Sequence, residues 1–558
     1  MIFLAIPAAV AGFAQTPQAD APGKDLRLSY RSVVDGTQQP YRVYVPSSYD
    51  GSREIPLVFA LHGTGENENT FFEEPRIPPG TIKRLAEKYG VLLVSPLGRG
   101  TTEYRGTGEN DVLSVLVDVE EHYRIDPDRV YLMGQSMGGT GSAYLALHHP
   151  DLFAAVAPLA AAYSFPWLAA NAGHVPFWWI SGADDAKFYH QGVMAGVERM
   201  RQLGVPVRLD MLPGEGHPGG LKHLDEVFAW LLEHRRAAHP RQYVFEVDTP
   251  LHGRAYWTDV EAIAAPGKMA VVKARADGKN RAQLNLENVA ALAFFPDPQD
   301  FDPAGRMEVA VDDKKVFSGA IAPRQELEIQ GGAGKWRARL RPRREYYLTA
   351  FRTHPVAVAP KALTMQGTEP VLADWIADAM RHATGADIAI FNRMHYRGLP
   401  IPAGKVDIVD LIECNRPFDQ YLVTAELSGS DLLQILDANV PDAGQFQKQP
   451  VANRLVQLSG AHYVFDPGQP EGRRIVSSDL EPNRRYTVVM EGQVVQRETI
   501  LLAGRFEKLS YKTADVPFTL ALYGYAASRK RIEAPAGSRV RQAGASGEMP
   551  GSLAGMGR

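Results

Sequence analysis

The sequence predicts a multidomain chain. A mostly parallel α/β sheet with helices on both faces comes first, then a small antiparallel β-sandwich-like module, then an α+β domain. Three observations predict this. Between residues 26 and 236 short apolar runs alternate with helical stretches, the rhythm of strands joined by crossover helices. From 241 to about 343 that rhythm gives way to short alternating stretches broken by Gly, Pro and Asp. Beyond a Pro-containing linker at 353–361, mixed helix and strand patterns return and run to about 532. The chain has 558 residues, more than one domain ordinarily holds. The expected divisions are 25–238, 241–350 and 361–532, with a signal segment at 1–14 and a flexible Gly/Ala/Ser-rich tail at 533–558.

Taken in order, residues 1–14 (MIFLAIPAAVAGFA) are apolar but too short to span a bilayer. Gly12 and Ala14 supply small residues where a signal peptidase reads, although no Lys or Arg precedes the run. The segment reads as a secretory signal, so the protein is expected to be secreted or periplasmic. No other run reaches the length of a membrane span. Buried strands are expected at 55–61, 91–95, 130–133, 154–157, 177–180 and 207–212. Helices are expected at 82–89, 110–122 and 140–148, and an amphipathic helix at 221–236 closes the unit. The following β module shows period-two stretches near 269–274, 290–295 and 307–312.

Composition excludes several classes of function. Apolar residues at 45% and charged residues at 22% exclude wholesale disorder. With 60 Lys and Arg against 64 Asp and Glu, the net charge is −4, which argues against nucleic acid or an anionic membrane as main partner. Cys414 is the one cysteine, so no intrachain disulfide forms, and fifteen His without a Cys cluster argue against a structural zinc site. No metal and no cofactor are expected.

The strongest signal is Val130-Tyr-Leu-Met-Gly134-Gln135-Ser136-Met137-Gly138-Gly139. This G-x-S-x-G directly follows a buried strand and precedes a helix, the context that makes Ser136 a nucleophile on a strained turn. An acid and then a histidine are expected downstream. After the strand 177–180 comes Ser181-Gly-Ala-Asp184-Asp185, where Asp185 is preferred and Asp184 is the competitor. After 207–212 comes Pro213-Gly-Glu-Gly-His217-Pro218, which makes His217 the base, while His223 falls inside the closing helix. An oxyanion needs two backbone donors. One is Met137, next to the nucleophile; the other is Thr64 in Leu61-His-Gly-Thr-Gly-Glu-Asn67, with His62 read as structural. Tyr163, Phe165, Trp167 and Trp178 are candidates to line an acyl or aryl pocket, Trp178 being the one more suited to the core.

On LHGTGEN at 61–67, YRIDPDRVYLMGQSMGG at 123–139, SGADD at 181–185 and GEGH at 214–217, the first domain resembles α/β-hydrolase esterases of the polyhydroxybutyrate depolymerase and feruloyl esterase type. The resemblance covers about two-fifths of the chain. It implies a serine esterase with Ser136, Asp185 and His217 as triad, without the cysteines of many secreted relatives.

A second resemblance rests on EPVLADWIADAMRHATGADIAIFN at 369–392, RGLPIPAGKVDIVDLIECNRPFDQYLV at 397–423 and ELSGSDLLQIL at 426–436. These are similar to the C-terminal domain of periplasmic 5′-nucleotidases, which binds the base while a metallophosphatase domain does the chemistry. The resemblance makes Asn392, Arg397 and Phe418 candidate ligand-binding residues. Met394 and His395 replace two glycines of the pattern, and the second stacking aromatic expected near 491 is missing. The Asp-x-His, Asn-His-Glu and His-x-His ligands of the phosphatase are absent from the sequence. The sequence therefore reads as a secreted serine carboxylic-ester hydrolase with non-catalytic appended domains, acting on an ester that is soluble or polymeric. The alternatives are a binding or scaffolding protein with an inactive esterase domain, and a nucleotide-processing hydrolase. A fragment ending near 238 is expected to fold and keep activity on small esters.

Overall fold

A computed structural model describes residues 23–544 except 279, 303, 333, 347, 349–352, 394–395, 417–418, 447–454 and 493–508. The expected signal segment lies outside the described residues. Eight strands form the first sheet: β1 (Lys24–Arg31), β2 (Gln38–Val45), β3 (Ile55–Leu61), β4 (Leu92–Pro96), β5 (Ile125–Gln135), β6 (Ala155–Leu159), β7 (Phe177–Gly182) and β8 (Val207–Leu212). Their order is β1-β2-β4-β3-β5-β6-β7-β8. The pairs β1/β2 and β2/β4 are antiparallel, and the remaining pairs are parallel, as the α/β-hydrolase reading expects.

Parallel strands covered on both faces need apolar residues at every position. All seven residues of β3 are buried, with Leu57, Phe59 and Leu61 in one apolar cluster and Val58 and Ala60 in another. The first cluster is capped by α2 (Thr107–His122), α3 (Met137–His148) and α4 (Lys187–Gln202). The second is capped by α1 (Thr81–Tyr89) and α5 (Leu224–Leu232). The expected closing helix is divided, with a 3₁₀ turn at Gly219–His223 ahead of α5.

Three elements of this unit escape the periodicity argument. The edge strand β1 (KDLRLSYR) buries only Tyr30, and β2 pairs with it. Helix α4 carries Gly192 and Gly196, poor helix formers whose presence has a packing reason. A Cβ on Gly192 would lie 2.4 Å from the Ala162 carbonyl oxygen, and one on Gly196 2.5 Å from Ser164.

The β module is a sandwich of two five-stranded sheets around Trp257, Phe294, Phe301 and Leu327. Trp257 is thus core. The C-terminal unit has a five-stranded sheet and a three-stranded sheet, with helices Val371–Thr384 and Phe518–Arg529 packed together. Two expectations need correction here. The linker at 353–361 contains a strand, Pro355–Ala359, paired with Gly404–Asp407, because alternate residues Ala357 and Ala359 enter the core. The start of the expected flexible tail is also structured: Val540–Gln542 pairs with Tyr463–Phe465. The Glu369 carboxylate accepts from the amides of Arg539 and Val540, and Arg539 pairs with Asp378 at 2.8 Å. Charge therefore holds a segment whose composition alone suggests a loose end. No helix among the described residues is long and apolar enough to cross a membrane.

Candidate active site

Ser136 occupies the turn between β5 and α3 with φ of 59°, a left-handed conformation that a non-glycine residue keeps only where its surroundings enforce it. Its amide donates to the Leu159 carbonyl at 2.9 Å, which pins the turn to β6. Gly138 is obligatory, since a Cβ there would sit 1.9 Å from the Leu61 carbonyl oxygen. Helix α3 thereby lies against the end of β3, and the serine stands at the strands' C-terminal edge.

Two loops from that edge meet the serine. Asp185 follows β7, and His217 follows β8. The Ser136 hydroxyl lies 2.8 Å from His217 Nε2, and His217 Nδ1 lies 2.6 Å from Asp185 Oδ2. These partners assign the tautomer: Nδ1–H donates to the carboxylate, and Nε2 accepts from the hydroxyl. The Asp185 side chain is 6% exposed and that of His217 is 30% exposed. The second Asp185 oxygen accepts from the Ala186 amide at 2.7 Å. Asp184 is exposed and its amide bonds the Glu215 carbonyl at 2.9 Å, while His223 faces Glu226 at 3.7 Å. One residue was missed from the sequence: Tyr189 of α4, whose ring stacks on His217 with centroids 4.6 Å apart. Nothing in the local pattern distinguishes it from any aromatic on a helix.

The loop after β3 is organised by Glu66, whose carboxylate accepts from the Gly63 amide at 2.7 Å and pairs with Arg76 at 3.1 Å. The Gly63 amide is thus occupied. Thr64 is exposed, and among the described residues its amide has no acceptor. Met137 precedes the first bond of α3, Thr140 N to Ser136 O at 3.0 Å, so its amide is also uncommitted. His62 is fully buried between the Leu97 and Gly63 carbonyls at 2.9 Å each, a structural placement.

The aromatic pocket is a correction. Tyr163 and Phe165 are 1% exposed and Trp167 5%, so they are core residues that line no open space. Apolar neighbours on both sides of the segment cover them. The Tyr163 hydroxyl donates to Glu103 at 2.5 Å, and burial pushes the Glu103 carboxyl up to about 7. Trp178 belongs to the opposite face of the sheet, bonded to Asp210 at 3.1 Å. In the C-terminal unit Asn392 is buried and Arg397 exposed. Phe418, Met394 and His395 lie outside the described residues. A second polar group, Glu109, His148, His149, Asp248 and His252, is buried where α2 and α3 meet the β module, and sequence spacing gives no hint of it.

Comparison with known proteins places both resemblances. Residues 36–239 match the family described as "Putative esterase", and residues 354–496 match "5'-nucleotidase, C-terminal domain". A bifunctional acetylxylan esterase/xylanase of Neocallimastix patriciarum is 28% identical over 180 residues, 31% of this chain and 26% of that protein. Feruloyl esterase B of Neurospora crassa is 28% identical over 155 residues, 25% of this chain and 49% of that one. The chain thus spans between a quarter and a half of the length of these relatives. Among solved structures, a 5′-nucleotidase precursor from Thermus thermophilus is 20% identical, with a TM-score of 0.30 over 44% of this chain and 56% of that one.

Proposed function

We propose that the protein is an exported serine carboxylic-ester hydrolase. The observation that supports it best is the continuous relay from Ser136 through His217 to Asp185, at 2.8 and 2.6 Å. His217 Nε2 takes the hydroxyl proton as Ser136 Oγ attacks the ester carbonyl, and Asp185 holds the imidazolium that forms. The Thr64 and Met137 amides face the oxyanion. The protonated His217 then gives its proton to the leaving alcohol, and water repeats the sequence on the acyl-enzyme. The partial likeness to acetylxylan and feruloyl esterases favours acetyl or feruloyl esters of a polysaccharide as substrates.

Initial rates on p-nitrophenyl acetate, on a feruloyl methyl ester and on acetylated xylan test this reading. Turnover of at least one ester is expected without added metal; a flat response to all three favours a binding protein instead. Within the triad, Asp185→Asn should lower turnover by about 10⁴-fold because it presents the wrong hydrogen-bond partner to His217. Asp184→Asn, altering an exposed side chain, should stay within a few-fold of wild type. The reverse ranking in a kcat comparison would move the acid to Asp184.

A further inference from the structure

We propose that His148, Asp248 and His252 bind one divalent transition-metal ion, with zinc the best fit, at the junction of the esterase-like unit and the β module. His148 ends α3, while Asp248 and His252 follow the first strand of the module, Gln242–Val247. One ligand thus comes from one unit and two from the other.

Hydrogen-bond accounting leads to the ion. His148 Nδ1 lies 2.9 Å from the Tyr144 carbonyl, so this nitrogen carries a proton and donates it. His252 Nε2 lies 3.0 Å from the Glu109 carboxylate and likewise donates. Glu109 is itself fixed by His149 Nε2 at 2.6 Å and by the Tyr144 hydroxyl at 3.3 Å. Each ring then has one nitrogen left. His148 Nε2 faces Asp248 Oδ2 at 2.9 Å, and His252 Nδ1 faces Asp248 Oδ1 at 3.3 Å. In the neutral rings both of these nitrogens present lone pairs to a carboxylate. Two lone pairs against an anion repel unless positive charge lies between them.

Two protons or one divalent cation can supply that charge. Two protons would make both rings cationic, and their centroids are only 3.9 Å apart. His148 and His252 are 2 and 3% exposed, so little water screens that repulsion. One cation puts both charges at the point where the nitrogens and the carboxylate converge. The three ligand atoms already lie within 4.8 Å of one another. Zinc at about 2.0–2.1 Å from each would set them roughly 3.3 Å apart, a spacing that lies within that bound. The outer contacts are also those of a metal site, in which a ligating histidine donates its other N–H to a carbonyl or carboxylate. An ion here would staple the β module to α3.

The test is the metal content of the full chain, purified without chelator or metal-affinity resin. About one equivalent of zinc per chain should survive gel filtration. After unfolding with chelator, refolding with zinc should raise the melting temperature above that of protein refolded without it. Cobalt(II) in its place should give visible ligand-field bands. His148→Gln should lose the equivalent. His239→Ala, which breaks the more exposed grouping of His239, Asp297 and Asp300, should keep it. Wild-type protein with under a tenth of an equivalent, and a melting temperature indifferent to zinc on refolding, would overturn the site even if His148→Gln fails to fold. Metal lost in His239→Ala but kept in His148→Gln would overturn it as well.

Discussion

Replacing Ser136 with alanine should lower ester turnover by about 10⁴–10⁶-fold while leaving the fold in place. The loss is large because in the proposed mechanism the hydroxyl is the attacking atom, and neither His217 nor Asp185 supplies a substitute at the end of the relay. The fold survives because one partly exposed oxygen is removed, while the elbow is held by backbone: the Ser136 amide on Leu159, and Gly138 against Leu61. A fluorophosphonate probe should add its mass to the wild-type chain and not to Ser136→Ala. Turnover within tenfold of wild type, or equal labelling of both proteins, would place the nucleophile elsewhere.

The sequence carried the elbow because that motif is local. Strand, Gly134-Gln-Ser-Met-Gly138 and helix are contiguous, and the glycines are forced by backbone contacts within that stretch and with β3. Asp185 and His217 are far apart in the chain. They are legible only because α/β units place functional residues at the carboxyl ends of successive strands. The limit appears at Tyr163, Phe165 and Trp167. Three aromatics after a strand suggest a pocket, yet local sequence does not say which layer will cover them, and here Tyr421 of the C-terminal unit packs edge-on against Trp167 at 5.1 Å. The cluster of His148, Asp248 and His252 is hidden for the same reason. His148 precedes Asp248 and His252 by about a hundred residues, and the three meet only when two units dock. Residues 539–542 misled differently, since Gly/Ala/Ser-rich surroundings conceal the pairing of Arg539 with Asp378.

Arg105→Ala should destabilise the full chain by about 3–5 kcal/mol, the usual cost of removing one partner from a buried charge pair. Arg105 belongs to the esterase-like unit, yet the hydrogen bonds of its guanidinium go to the C-terminal unit. It donates to the Asn415 carbonyl at 3.0 Å, to Asp419 at 3.0 Å and to the Thr519 hydroxyl at 2.9 Å. The side chains of Arg105 and Asp419 are 1 and 6% exposed, so neither charge has water to fall back on. Two residues on, the Thr107 amide donates to Glu413 at 3.0 Å. The loop bearing Arg105 has positive φ at Arg99, Glu103 and Tyr104, a strain that its surroundings must hold. Tyr104 leads from it to the active site. Its ring fills the space that a side chain at Gly98 or Gly141 would need, and its hydroxyl donates to the His62 carbonyl at 3.3 Å. Thr64 is two residues further. This reverses the expectation for a fragment ending near 238. Such a fragment would lose Asp419, Thr519 and the Tyr421 cover on Trp167, and would leave Glu109 and His148 without His252 and Asp248. It should be insoluble, or folded with turnover reduced by about 10²-fold, since a shift of about 1 Å in a positioning group costs that much. Thermal denaturation of Arg105→Ala and of Arg105→Lys, which keeps the charge without the planar fork, measures the clamp directly. A melting temperature for Arg105→Ala equal to wild type, together with a soluble fragment of wild-type turnover, would make the C-terminal unit a passenger.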